Sequence, residues 1–181
     1  MNKEKQIVRN WLKIFIAALF ISGFTAIPVE QELTYLVNHF PFEGSLKGFL
    51  EEVLIGIQNT SRDYPFLFYG YDWLAFAHFV LAILFIGPLR DPVKNKWVIE
   101  FGIIACILII PFAMIAGHFR ELPFWWRLVD CSFGIIGLIP LIICMKSIKK
   151  LEAVEVSKSE EKEAFDLLLN DNKMELSNHK L

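Results

Sequence analysis

The stretch WVIEFGIIACILIIPFAMIAG, residues 97–117, decides the fold class of this chain because it can cross a membrane as one helix. About 20 consecutive apolar residues in a helix span the hydrocarbon core of a bilayer. Three runs of similar character surround it, at residues 11–27, 71–89 and 124–145. The sequence therefore predicts an all-α integral membrane four-helix bundle with outer amphipathic helices, in which residues 1–150 form the four-span domain.

Composition agrees with this prediction and excludes two classes of protein. Hydrophobic residues make up 55% of the 181 residues, and the mean hydropathy is +0.45. The formal net charge is −2, and no basic face indicates a nucleic acid partner. The three cysteines lie inside apolar runs and form no CxxC pair, which argues against a thiol-disulfide site.

Lysine and arginine residues predict the orientation of the four spans. They concentrate before the first span, in the loop RDPVKNK at 90–96, and after the fourth span in KSIKK at 146–150. Four spans place these three segments on one side, and basic flanks favour the cytoplasm. We therefore expect both termini in the cytoplasm. In the loop, Asp91 is expected to cap the third span, with Pro92 in its first turn.

Residues 29–64 are predicted to form an amphipathic segment outside the membrane. Apolar residues recur at helical spacing on either side of a break at Pro41 and Gly44, and Ser45 is the predicted N-cap of the second helix. Two arrangements suit such helices: they lie on the bilayer surface, or they cap the bundle. We favour the cap, because Glu51 and Glu52 weaken attraction to anionic lipid.

Residues 151–181 form an acidic cytoplasmic tail in this prediction. The tail contains four Lys and eight Asp or Glu residues, a net charge of −4. Phe165, Leu168 and Leu169 share one face if the tail is helical. Two interpretations stay open, namely a solvated, fraying helix and a docking helix for a membrane or cytoplasmic protein partner.

Polar residues inside or next to the spans are the candidate ligand-binding residues, because ionisable groups at membrane depth are energetically costly. Opposite chain directions bring them to the outer half of the predicted bundle; they are His78, Arg127, Asp130, His118, Arg120, Asp72 and Tyr71. In one interpretation, Arg127 pairs with Asp130 and His78 bonds between helices, so that the cluster only fixes packing. In the other, the cluster is a binding site open to the outer face.

A metal or haem site built from His78 and His118 is the weakest alternative. Histidine and carboxylate are suitable ligand types, but no HxxxH or HxxEH spacing supports such a site. We therefore predict no metal site and no cofactor, and we assign no catalytic residue.

Two stretches carry a resemblance to a known group of proteins. They are GYDWLAFAHFVLAILFIGPLRDPVKNKWV, residues 70–98, and PFWWRLVDCSFG, residues 123–134. Over about residues 65–150 the chain resembles small four-span inner-membrane proteins of bacteria that are catalogued as uncharacterised. The resemblance implies a bacterial plasma membrane, and no activity comes with it.

The leading functional expectation is a non-enzymatic binding or accessory protein with an outward-facing polar pocket. Arg127 would supply a fixed positive charge to an anionic group, Asp130 would orient it, and His78 would exchange a hydrogen bond. One alternative is a small membrane enzyme acting on a lipid or isoprenoid-like substrate, with His78 and Asp130 as acid and base. Another is a transport subunit that gains a pathway only as a homo-oligomer, since no continuous polar path crosses one copy.

Overall fold

The computed structural model describes residues 3–178 of the chain, and the side chains of residues 3–166. The described residues form helices joined by short connections and contain no strand, which confirms the all-α prediction. In chain order the elements are α1 (Lys3–Ala26), α2 (Val29–His39), α3 (Gly44–Asp63), a 3₁₀ helix (Pro65–Phe68), α4 (Tyr69–Leu84), α5 (Ile86–Arg90), α6 (Lys96–Phe119) and α7 (Phe124–Asn178).

Within the residues that the structure describes, four helical segments are long and apolar enough to cross a membrane. They are Lys3–Ala26, Pro65–Arg90, Lys96–Phe119 and Phe124–Asp166, and each overlaps one of the four runs predicted from the sequence. Many large apolar side chains on them are exposed, Phe112 and Phe133 among them. Length and composition thus indicate a membrane protein.

The chain divides into two compact units. The hairpin unit combines Met1–Leu12 with Gly87–Leu181, and the central unit is Lys13–Ile86.

The hairpin unit is built around close packing of α6 against α7. A Cβ atom added at Gly134 would lie 2.5 Å from the carbonyl oxygen of Cys106. Such a distance leaves room for glycine alone, so the two backbones approach closely, as small residues allow in helix pairs. The Sγ atom of Cys131 lies 3.8 Å from the carbonyl oxygen of Ile110 across the same contact.

The buried core of this unit lies at the end that carries the basic residues. Fully buried side chains come from the start of α1 and from α6 and α7; they include Val8, Leu12, Ile99, Leu141, Cys144 and Ile148. Polar contacts surround this core and form what we call the basal clamp. Lys150 Nζ donates to Glu4 Oε1 at 3.2 Å, the side chain of buried Ser147 hydrogen-bonds to Glu4, and Lys96 Nζ contacts Glu152 Oε2 at 2.7 Å.

The helix α7 continues from its apolar segment into the acidic tail without a break. Leu151 is still buried, whereas every residue from 153 to 166 is exposed, including Phe165. The side chains of Leu168 and Leu169 lie outside the described residues, so the apolar face predicted for the tail stays a prediction.

The central unit joins the second half of α1 to α4. Gly23 permits this contact, since a Cβ there would lie 2.8 Å from Phe79 Cε1 and 2.9 Å from the carbonyl oxygen of Ala75. The ring of Phe20 packs on Phe79 with centroids 5.0 Å apart. In the same unit, α3 contacts both α2 and the 3₁₀ helix, and that helix contacts α4.

Two helix starts differ from the sequence prediction. The helix α3 begins at Gly44 after Glu43, so Ser45 lies within its first turn and is not the N-cap. Asp91 caps a turn and not α6, because its Oδ1 accepts a hydrogen bond from the Lys94 backbone N–H at 3.2 Å. Residues 92–95 form that turn, and α6 begins after Asn95, whose side chain donates to the carbonyl of Asp91 at 2.9 Å.

Candidate functional site

The candidate residues fall into two sets. Arg127, Asp130, His118 and Arg120 belong to the hairpin unit, where they lie at or beside the turn between α6 and α7. The other three, His78, Asp72 and Tyr71, belong to the first part of α4 in the central unit.

The turn between α6 and α7 has a defined backbone geometry. The N–H of Leu122 donates to the carbonyl of Gly117 at 2.9 Å, and the N–H of Glu121 donates to the carbonyl of His118 at 3.1 Å. This pair of bonds is a Schellman motif, in which the residue after the C-cap adopts the left-handed conformation. Here that residue is Glu121, with φ of 58°, where glycine is the usual choice. A residue with a Cβ in this conformation is unusual, and backbone strain of this kind occurs most often at functional sites.

Arg127 is held against this turn by two contacts. Its Nε atom donates to the carbonyl oxygen of Leu122 at 2.9 Å. Its stem crosses Gly117 so closely that a Cβ there would lie 2.8 Å from Cγ and 3.0 Å from Cδ. These contacts fix the guanidinium and engage only one of its five N–H donors. The four N–H groups on the two terminal nitrogens are therefore available to a ligand.

Asp130 does not neutralise Arg127. No ion pair among the described residues joins the two side chains, although they are three residues apart on α7. Because Nε turns back towards the Leu122 carbonyl, the guanidinium is directed to the turn and away from the following helical turn. The interpretation in which their ion pair fixes packing is therefore wrong for this pair. Asp130 itself is half-buried.

The remaining two residues of this set are exposed. Arg120 is the C-cap of α6, and its backbone N–H donates to the carbonyl of Ala116 at 3.0 Å. His118 lies against Phe119, with ring centroids 5.9 Å apart. Both side chains are thus open to a ligand at the turn, whereas neither is fixed in the way that Arg127 is.

His78 lies at the contact of α4 with α1 in the central unit. A Cβ at Gly23 would lie 3.0 Å from the Cβ of His78. The Nδ1 atom is 2.7 Å from the carbonyl oxygen of Leu74, one helical turn earlier. Because a carbonyl oxygen only accepts, Nδ1 is the donor in this contact. Asp72 is exposed.

Tyr71 contributes to a cleft that the sequence did not reveal. Its ring stacks on Phe68 with centroids 5.3 Å apart. The cleft has a volume of about 210 Å³ and is lined by Val53, Gly56, Ile57 and Thr60 of α3, Leu67 and Phe68 of the 3₁₀ helix, and Tyr71 of α4. Lining residues come from segments brought together by folding, so no local spacing announces them.

Metal-ligating side chains do not converge in the part of the chain that the structure describes. No group of three or more His, Cys, Asp or Glu side chains there could hold a metal ion. The prediction that the protein uses no cofactor stays a prediction.

The sequence singled out Arg127 as a candidate and gave no sign of the groups that hold its side chain. Nothing in the sequence indicates that the Leu122 carbonyl or Gly117 contacts an arginine. Glu121 stands at the position where glycine usually marks a Schellman turn, so the turn was not recognisable. Pro123 is the one local signal, since proline often follows the end of a helix by one to three residues.

Comparisons of the chain with protein-family models, curated proteins and solved structures find no match. The resemblance to bacterial four-span proteins accordingly stays a prediction.

Proposed function

We propose that this chain is a multi-pass membrane protein of the binding or accessory kind, and that the turn between α6 and α7 recognises an anionic group through Arg127. The observation that carries the proposal is the fixed guanidinium. Its Nε is bonded to the Leu122 carbonyl at 2.9 Å, and no carboxylate of the described residues 87–166 forms an ion pair with it.

A guanidinium held in this way is suited to a phosphate or carboxylate. Its remaining N–H donors are arranged as a planar fork that can bind two oxygens of such a group. Holding the side chain before the ligand arrives lowers the entropy lost on binding. Asp130 lies on the following turn of α7, from which the guanidinium is directed away, so this proposal gives it no contact with the anionic group.

The charge distribution supports an outward position for this turn. Basic residues lie at the opposite end of α6 and α7, in Lys94, Lys96, Lys149 and Lys150. If that end is cytoplasmic, the turn faces outward and the tail faces the cytoplasm. The membrane proposed is a bacterial plasma membrane, on the basis of the resemblance given above.

The test is a comparison of lipid binding by the detergent-solubilised full chain. Native mass spectrometry would count phosphatidylglycerol and phosphatidylcholine of identical chains bound to the wild type and to Arg127→Gln. We expect the wild type to prefer phosphatidylglycerol by about tenfold or more, because a charge-assisted pair contributes about 1.5–3 kcal/mol. Competition by inorganic phosphate would show whether the phosphate alone is recognised.

Two further variants make the comparison specific. Arg90→Gln removes an exposed arginine from the other end of the hairpin unit and should leave the preference intact. Gly117→Ala keeps the charge but places a methyl group 2.8 Å from Arg127 Cγ, so it should reduce the preference by displacing the side chain. A preference that survives Arg127→Gln would refute the proposal.

A further inference from the structure

We propose that the cleft between α3, the 3₁₀ helix and α4 binds one acyl chain of a membrane lipid. This site lies in the central unit and goes beyond the anion recognition proposed for Arg127. Nothing in the proposal depends on that recognition, because the residues of the cleft all lie within 53–71.

The chemistry of the lining favours an apolar occupant over water. A volume of about 210 Å³ equals that of about seven liquid water molecules. The cleft is partly open, and the hydroxyls of Thr60 and Tyr71 are the only polar groups among its lining side chains. Val53, Ile57 and Leu67 are aliphatic, so the cleft gains more from a hydrocarbon chain than from a water cluster.

The position of the cleft along the chain points to a lipid as the source of that hydrocarbon. Leu67, Phe68 and Tyr71 belong to the first turns of the segment Pro65–Arg90, which is long and apolar enough to cross a membrane. Exposed aromatic side chains, Tyr69 and Trp73, lie in the same turns, as expected of residues at a membrane interface. The cleft is thus continuous with a segment that lipid chains would surround.

The lining side chains carry no charge, which favours the acyl chain of a lipid over its charged headgroup as the bound part. No Lys, Arg, Asp or Glu lines the cleft, so it has no group that discriminates between anionic and zwitterionic headgroups. The hydroxyls of Thr60 and Tyr71 are neutral donors suited to the ester carbonyl where an acyl chain begins. We therefore expect phosphatidylcholine and phosphatidylglycerol with the same chains to bind equally well here.

Gly56 offers a way to fill the cleft without disturbing the backbone. It lines the cleft, and a Cβ added to it would meet no atom within 4 Å. Gly48 lies on the same helix, is equally open, and does not line the cleft. Leucine at either position raises helix propensity by a similar amount, so the two substitutions differ in their effect on the cleft.

The experiment uses phosphatidylcholine with a diazirine in one acyl chain, added to the full chain in detergent micelles and then photolysed. Peptide mapping would measure the adducts on residues 53–71 in the wild type, Gly56→Leu and Gly48→Leu. Burying one methylene changes a binding constant by about fourfold, so a leucine that displaces several should lower the adduct yield at least about tenfold. Gly48→Leu should keep the wild-type yield.

A smaller substitution protects the test against misfolding. Gly56→Ala adds a single methyl group and should lower the adduct yield by about fourfold. Gly56→Ala and Gly56→Leu then give two sizes of side chain to compare with the control Gly48→Leu. Equal yields in Gly56→Leu and Gly48→Leu would overturn the proposal.

The two proposals fail independently. Arg127→Gln should abolish the preference for phosphatidylglycerol and leave the adducts on residues 53–71 unchanged. Loss of those adducts in Arg127→Gln would mean that the anion site recruits the lipid, and it would overturn an independent acyl site.

Discussion

At the scale of single residues, Glu121 sets the geometry of the candidate anion site. Its left-handed conformation directs the Leu122 N–H to Gly117, and the Leu122 carbonyl then accepts the Nε–H of Arg127. A residue with a Cβ loses about 1–2 kcal/mol in this conformation relative to the right-handed one. The turn that holds the Arg127 guanidinium therefore lowers the stability of the folded chain slightly.

This strain predicts that Glu121→Gly stabilises the protein by about 1 kcal/mol, since glycine adopts a positive φ without a steric penalty. The matched control is Glu121→Ala, which removes the same carboxylate and keeps the Cβ. The free energy of unfolding in detergent, measured for both variants, should rise for glycine and stay near the wild-type value for alanine. Equal values for the two would mean that the backbone at residue 121 is unstrained.

Single-residue detail was only partly predictable from the sequence. The sequence singled out Arg127 as a candidate anion-binding residue, because an arginine within a predicted span is energetically costly, and that assignment stays a prediction. The direction of the Arg127 side chain was not predictable. The spacing of three residues suggested an ion pair with Asp130, whereas in the structure Nε donates to the backbone carbonyl of Leu122. A carbonyl is present at every residue, so the sequence cannot show which one an arginine will bind.

At the scale of secondary structure, the contact of α6 with α7 depends on Gly134. A methyl group there would lie 2.5 Å from the Cys106 carbonyl oxygen, so the two helices would have to separate. Overpacking of this kind costs about 1–3 kcal/mol. The same contact determines the rotation of α7 about its axis, and with it the direction in which Arg127 leaves the helix.

We therefore expect Gly134→Ala to lower the free energy of unfolding by about 1–3 kcal/mol. The control is Gly48→Ala, whose added Cβ meets nothing within 4 Å and which should stabilise α3 slightly through helix propensity. Thermal unfolding in detergent would compare the two. If Gly134→Ala were as stable as Gly48→Ala, the close approach of α6 and α7 would be refuted.

Helix existence was predictable, and helix ends were not. Apolar periodicity after Ser45 predicted a helix, which in the structure extends to Asp63 through Thr60 and Arg62, residues that carry no apolar signal. The first apolar run begins at residue 11, yet α1 begins at Lys3, because Val8 is buried in the hairpin unit. A run of high hydropathy indicates where a helix contacts lipid. It does not show how far the helix continues when its next residues pack against other helices, as Val8 does.

At the scale of the whole molecule, the basic flanks make a prediction about sidedness. Both termini and residues 91–95 should face the cytoplasm, and α3 should face outward. Single cysteines introduced by Asn59→Cys, Lys94→Cys and Ser159→Cys would report this, since all three positions are exposed. The three native cysteines are buried and should give a low background.

A membrane-impermeant maleimide applied to intact cells should label Asn59→Cys alone. Permeabilised cells should show labelling at all three positions. Labelling of Lys94→Cys or Ser159→Cys in intact cells would invert or break the proposed topology, and the Arg127 turn would then face the cytoplasm.

One helix joins the turn that carries Arg127 to the acidic tail. Residues 124–178 belong to α7, and although Pro140 withholds one N–H, the helix continues through it. The distance along the axis from Arg127 to Leu151 is about 36 Å at 1.5 Å per residue. If an anion bound at Arg127 and shifted or rotated the start of α7, the displacement would pass along one continuous helix, past the basal clamp, to the acidic tail.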